Sequence, residues 1–239
     1  MTPDTDWNCR LLPGFSDHVG NARNAASALT LLHEHSGISH FSFFPEFDPL
    51  CESVSAFKIR IDLALKALQS LLTFPAVLFA SASARICPNL AEYRDLRRFC
   101  LPKTDFLPIS LPIVPENQVE NEVARIARYA PFRPLLMNAH LLPIFYPSDV
   151  LKRLFRLPGI AVQFSFSSLE TDKNDRILHE LLARKVPVLL GSGVNSREKA
   201  ALLDFPYLRS QIEARFSPSE ADALFHAGNL CGKRLVSSR

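Results

Sequence analysis

Short apolar runs alternate with stretches of helical periodicity along nearly the whole chain, and this alternation constrains the fold more than any other feature. Ser39–Phe44 is β-rich and stops at Pro45. Ser53–Leu72 then places Val54, Phe57, Ile61, Leu65 and Leu68 at steps of three and four, which makes one helix face. The rhythm continues with strands at Ala76–Ala80, Phe106–Leu111, Pro134–Met137, Ile160–Phe166 and Val186–Leu190. Between them lie helical patterns at Asn89–Phe99, Glu116–Tyr129, Ser148–Leu157 and Asp172–Lys185. The opening Thr5–Arg10 and a helix over Asn21–His35 precede this series, and helical segments at Ser196–Leu203, Tyr207–Arg215 and Ser219–Ala227 follow it. Helices between strands force parallel crossovers. About seven strand-plus-helix units without a linker predict one domain over residues 1–239, an α/β chain closed or nearly closed into a barrel.

Composition narrows the function. With 47% hydrophobic and 21% charged residues the chain is an ordinary folded protein. It has only 8 glycines and no Gly-rich phosphate loop, which disfavours nucleotide-loop enzymes. A net charge of +3, dispersed along the chain, does not make a nucleic-acid stripe. The cluster Arg94, Arg97 and Arg98 reads as a solvated helix face. Phe41, Phe43, Phe44 and Phe47 read as core rather than as a stacking platform, since no basic residues are interleaved with them. Five separated cysteines without a CxxC suit a reducing compartment and single buried thiols. Met1–Arg10 does not read as a secretion signal. No apolar run approaches the ~20 residues that a membrane span needs. A soluble, cytoplasmic protein is expected.

In such barrels the chemistry sits on the rim where the strands end, so those segments carry the functional information. Several of them, in order, resemble the bacterial tyrosine phosphatases of capsule and exopolysaccharide operons, members of the polymerase-and-histidinol-phosphatase (PHP) superfamily. Asp6-Trp7-Asn8-Cys9-Arg10, followed by Leu12-Pro13-Gly14, resembles the family's opening Asp-x-His-x-His and Leu-Pro-Gly. Phe44-Pro45-Glu46 resembles the strand end that normally delivers Thr-Pro-His. Leu136-Met137-Asn138-Ala139-His140 resembles the strand ending in Ala-His-Pro-Glu-Arg. Gly191-Ser192-Gly193-Val194-Asn195 resembles Ala-Ser-Asp-x-His, and Leu224-Phe225 the closing helix. The resemblance implies a distorted (β/α)7 barrel with a divalent-metal cluster, typically loaded with manganese or a similar cation, that hydrolyses phosphotyrosine.

The departures fall on the ligands. The opening histidines become Asn8 and Arg10, the second-strand histidine becomes Glu46, and an expected glutamate falls near Ser83. The mid-chain histidine becomes Asn138, and the final Asp-x-His becomes Gly193 and Asn195. Amides are weak ligands for transition metals. Arg10 sets a permanent positive charge where a dication would sit. Two unit charges ~4 Å apart repel by roughly 4 kcal/mol at an effective dielectric of 20, and a dication doubles that. The sequence therefore predicts a pseudoenzyme with no metal and no cofactor.

Two readings of the rim follow. In the first, Arg10 and Arg197 with Asn8, Asn138 and Asn195 form a metal-free pocket for phosphotyrosine or sulfate, unless Arg10 pairs internally with Asp6, Glu46 or Asp17. The partner would be a tyrosine-kinase tail or another capsule-assembly protein, and an oligomer is compatible with this reading. In the second, the chain is a working phosphoesterase with a reassigned metal set, using Glu46, His140 and Asp17, with Asp6 as a further ligand type. His18 also lies near the rim. His33, His35, His40, His179 and His226 read as surface or structural residues.

Overall fold

Every strand pairing in the computed structural model is parallel, as helical crossovers require. The structure describes residues 5–15, 19–113 and 118–232. Among them the strands are β1 (Thr5–Asp6), β2 (His40–Phe43), β3 (Glu46–Phe47), β4 (Val77–Ala80), β5 (Ser83–Arg85), β6 (Phe106–Ser110), β7 (Arg133–Leu136), β8 (Ala161–Ser165) and β9 (Val188–Gly191). They form two sheets, one in the order β1-β2-β4 and one in the order β3-β5-β6-β7-β8-β9.

The division into two sheets has a local cause. Pro45 lacks an N–H and interrupts the ladder between β2 and β3. Backbone bonds cross the interruption, from Ser81 N–H to the Phe43 carbonyl (3.0 Å) and from Ser83 N–H to the Pro45 carbonyl (2.9 Å). Residues 40–47 and 77–85 thus run side by side along their length. At the other margin Trp7 N–H donates to the Leu190 carbonyl (3.1 Å), which ties the first strand to the last.

The helices lie where their apolar spacing puts them. Helix α1 (Ala22–Ser36) starts at Asn21, whose side chain accepts the Asn24 N–H, and α2 (Val54–Gln69) starts at Ser53, which accepts the Ala56 N–H. Helix α3 (Val119–Tyr129) buries Val119, Val123 and Ile126; the expected start at Glu116 lies outside the described residues. A short α4 (Leu142–Phe145) follows β7, and α5 (Ser148–Arg156), α6 (Asp175–Ala183), α7 (Arg197–Leu202), α8 (Phe205–Arg215) and α9 (Pro218–Gly232) complete the series.

One expected helix is different in kind. Residues 90–92 and 94–99 form 3₁₀ turns, not an α-helix. They bury Leu90, Leu96 and Phe99 at multiples of three, the repeat of the tighter helix. Phe47, Phe57 and Phe99 meet with ring centroids 4.9–5.8 Å apart and fasten this segment to α2 and β3. Phe41, Phe43, Phe44 and Phe47 are buried, as core residues should be. Trp7, Phe44, Leu135, Met137, Ala161 and Leu189 form a second apolar cluster. Of the single thiols expected to be buried, Cys9 is buried, Cys87 and Cys100 are half-buried and Cys51 is exposed. Among the described residues, no helix is long and apolar enough to cross a membrane.

Candidate functional site

The site is built on the segment just past β1. Trp7–Arg10 threads between β2 and the end of β9: Cys9 N–H donates to the Ser42 carbonyl (2.9 Å), Gly193 N–H to the Asn8 carbonyl (2.9 Å) and Arg10 N–H to the Val194 carbonyl (2.8 Å). Gly191 permits this approach. A Cβ at that position would lie 2.4 Å from the Asn8 nitrogen and 2.9 Å from its Cα, closer than any side chain is tolerated against backbone. Gly193 turns the chain away with φ +64°, a left-handed conformation that glycine adopts without strain.

Asp6 anchors the segment. One oxygen, Oδ1, accepts the N–H groups of Asn8 (3.1 Å) and Ser192 (2.8 Å), and Oδ2 has no hydrogen-bond partner among the described residues. Burial pushes the Asp6 carboxyl above its usual pKa, and the hydrogen bonds from Ser192, Asn8 and Cys9 only partly oppose that. Cys9 beside it is also buried, and burial together with the Asp6 charge drives its thiol well above the ordinary range. It is a packed, protonated thiol with no nucleophilic character.

Three side-chain amides meet here, Asn8 and Asn138 just past their strands and Gln163 within β8. Asn8 Nδ2 donates to Asn138 Oδ1 (3.2 Å) and to Gln163 Oε1 (3.1 Å), and Gln163 Oε1 also accepts the Asn138 backbone N–H (3.0 Å). Gln163 Nε2 donates to the Phe164 carbonyl (2.7 Å). Gln163 is fully buried in β8, while Asn138 sits just past β7 with φ 52°, a left-handed conformation that asparagine tolerates better than most residues. Opposite them, Ser83 Oγ and Ser110 Oγ are 2.6 Å apart.

A cavity of about 320 Å³ opens over these groups. Asn8, Arg10, Glu46, Ser83, Ser110 and Asn138 supply its polar lining, and Phe15, Phe43 and Phe44 are among its apolar walls. Glu46 stands beside Ser83 in the β3–β5 register. Arg10 and Glu46 are both exposed, and neither side chain bonds or ion-pairs with a described residue. The internal pairing of Arg10 with Asp6 or Glu46, one of the two sequence expectations, is therefore not formed.

Asp17 and His18 lie outside the described residues, as do the side chains of His226 and Cys231. Asn195 and Arg197 fall beyond the Gly193 turn, and neither lines the cavity; Arg197 opens α7, which packs on α1. His140 does not line it either. Its Nδ1 accepts the Ser165 N–H (3.2 Å), and desolvation lowers its pKa to about 4, so the ring is neutral at pH 7. The sequence reading missed Gln163 and Ser110. Gln163 carried a signal, being the one amide in the middle of the apolar strand Ala161–Ser165.

The polar side chains lining the cavity are thus two neutral amides, two hydroxyls, one guanidinium and one carboxylate, with the Gln163 amide buried behind them. Among the described residues no group of three or more His, Cys, Asp or Glu side chains converges as a metal site would require.

No protein-family profile matches the sequence, and no curated protein does. Solved structures do match. One, from the work on the metal-dependent tyrosine phosphatases YwqE of Bacillus subtilis and CpsB of Streptococcus pneumoniae, superposes with a TM-score of 0.71. The match covers 96% of this chain and 94% of that one at 16% sequence identity. At that identity it establishes the shared α/β fold, over nearly the full length of both chains.

Proposed function

We propose that this chain is a single-domain, non-catalytic relative of the metal-dependent tyrosine phosphatases whose fold it shares, and that it binds an anionic ligand at the cavity without a metal. The observation that carries the reading is the Asn8–Asn138–Gln163 amide network at the strand ends, with Arg10 exposed beside it. The bound metal that the structural neighbour's name implies does not fit this donor set. Amides hold such cations poorly, and Arg10 repels them. An arginine without a partner among the described residues instead suits bidentate binding of phosphate, sulfate or carboxylate. No step of hydrolysis is therefore assigned to these residues.

Residues 40–47 and 77–85, each counted as one interrupted strand, give seven parallel segments. The Trp7–Leu190 backbone bond supports their arrangement as a distorted (β/α)7 barrel. The anion site consists of Arg10, Asn8 and Asn138, with Asn195 and Arg197 as outlying candidates beyond the turn. The fitting partner is a phosphorylated or acidic segment of a cytoplasmic protein, such as a tyrosine-kinase tail or a capsule-assembly protein. Calorimetric titration of phenyl phosphate in the presence of EDTA tests the reading. Binding that is lost in Arg10→Met is expected. No binding, or manganese-dependent turnover of p-nitrophenyl phosphate, would overturn it.

A further inference from the structure

The cavity carries two opposite charges, and its floor is neutral. Arg10 is the one cation and Glu46 the one carboxylate among the described residues that line it. Arg10 and Glu46 do not pair with each other, and neither side chain has another partner among the described residues. The other side-chain polar atoms of the lining are uncharged. Asn138 Nδ2 and Asn8 Oδ1 make no bond to a described residue, and the Ser83–Ser110 hydroxyl pair uses only one of its two protons internally. A plain anion seated on Arg10 in so small a space would also face the Glu46 carboxylate, with the unfavourable Coulomb interaction only partly screened. A plain cation on Glu46 would meet the guanidinium. Only a ligand with both charges is complementary to both groups.

We infer that the cavity takes a compact zwitterion, an ammonium-bearing phosphate or carboxylate, with its anionic end on Arg10 and its ammonium on Glu46. This rests on the reading of the cavity as an anion site and sets a small molecule in place of the protein segment as its occupant. The neutral amides and hydroxyls meet the uncharged bridge between the two ends, while Phe15, Phe43 and Phe44 limit its size. The volume of about 320 Å³ lies at the small end of the range for ligand cavities, which suits a molecule of amino-acid size.

A matched set of probes tests this in EDTA by calorimetric and NMR shift titration: phosphoethanolamine, ethyl phosphate, ethanolamine and β-alanine. Phosphoethanolamine should bind about tenfold or more tightly than ethyl phosphate, and ethanolamine should not bind measurably. Phosphoethanolamine stronger than β-alanine identifies phosphate as the anionic end, and the reverse order identifies carboxylate; either order supports the zwitterion. Glu46→Gln should erase the preference over ethyl phosphate, and Arg10→Met should abolish binding of both phosphates. Both side chains are exposed, so unchanged thermal melting will show that the variants are folded. Equal affinity for the two phosphates, unaltered by Glu46→Gln, would overturn the zwitterion and leave the anion site standing. Failure of all four probes would overturn both.

Discussion

Replacing Gln163 by methionine conserves the shape of a fully buried side chain and removes its three hydrogen bonds at once. The Asn138 N–H loses its acceptor. Asn8 Nδ2 keeps one bond, to Asn138 Oδ1, and loses the other, and the Phe164 carbonyl loses a donor. A buried polar group left without a partner costs about 1–3 kcal/mol. Asn138 is half-buried, so its N–H can recover part of that from water, while Asn8, 3% exposed at the cavity, recovers less. The expected loss is about 3 kcal/mol, and the added apolar volume offsets little of it because the pocket is unchanged in size. In a chain of this length that corresponds to a drop in Tm of about 6–12 °C. Urea unfolding followed by circular dichroism reads it directly, as a lower midpoint at constant slope. A change below about 0.5 kcal/mol would refute the claim that the three amides form one interdependent network.

Three further outcomes follow from the same geometry. Gly191→Ala should cost about 3 kcal/mol or more, or prevent folding, because its Cβ would meet Asn8 backbone at 2.4 Å; a variant with wild-type melting temperature would contradict this. His140 has a native pKa of about 4 against 6.5 for the free side chain, so the stability it contributes is present above pH 6.5 and lost as pH falls towards 4. With the ring half-buried and partly screened, that loss should be about 1–2 kcal/mol, and His140→Gln should remove it from a pH series of unfolding curves. Asp6 acts in the opposite direction. Its raised native pKa means that its contribution is largest below the unfolded value of about 3.9 and declines as pH rises through the native value. Asp6→Asn should therefore gain relative to the wild type as pH rises from 4 to 7, and a constant difference across that range would contradict the raised pKa.

The fold was legible where local chemistry and burial agree. Asn21 and Ser53 cap the helices that they were expected to start, and Val119, Val123 and Ile126 face inward at helical spacing. Residues 90–99 were misread because Leu90, Leu96 and Phe99, at multiples of three, serve 3₁₀ turns as well as an α-helix, and charge spacing does not separate the two. The short strands β3 and β5 were hidden by Pro45 and by the small residues of Ser81–Ala84, which leave little apolar pattern. At the site, Asn8, Arg10, Glu46 and Asn138 come together as their strand-end positions required. Asn195 and Arg197 do not join them, since their side of the rim depends on the left-handed turn at Gly193, a property of the backbone that residue spacing does not reveal. Gln163 was visible as an isolated amide in an apolar strand, but its two acceptor contacts come from residues 25 and 155 positions away.

On the proposed reading, the strand ends hold an amide network and a guanidinium and bind no metal cluster. The most direct test is the metal content of the purified protein after incubation with manganese and desalting. The account predicts far less than one ion per chain, with no loss of stability on adding EDTA. Two or more ions retained per chain, and released by EDTA with a fall in melting temperature, would contradict it.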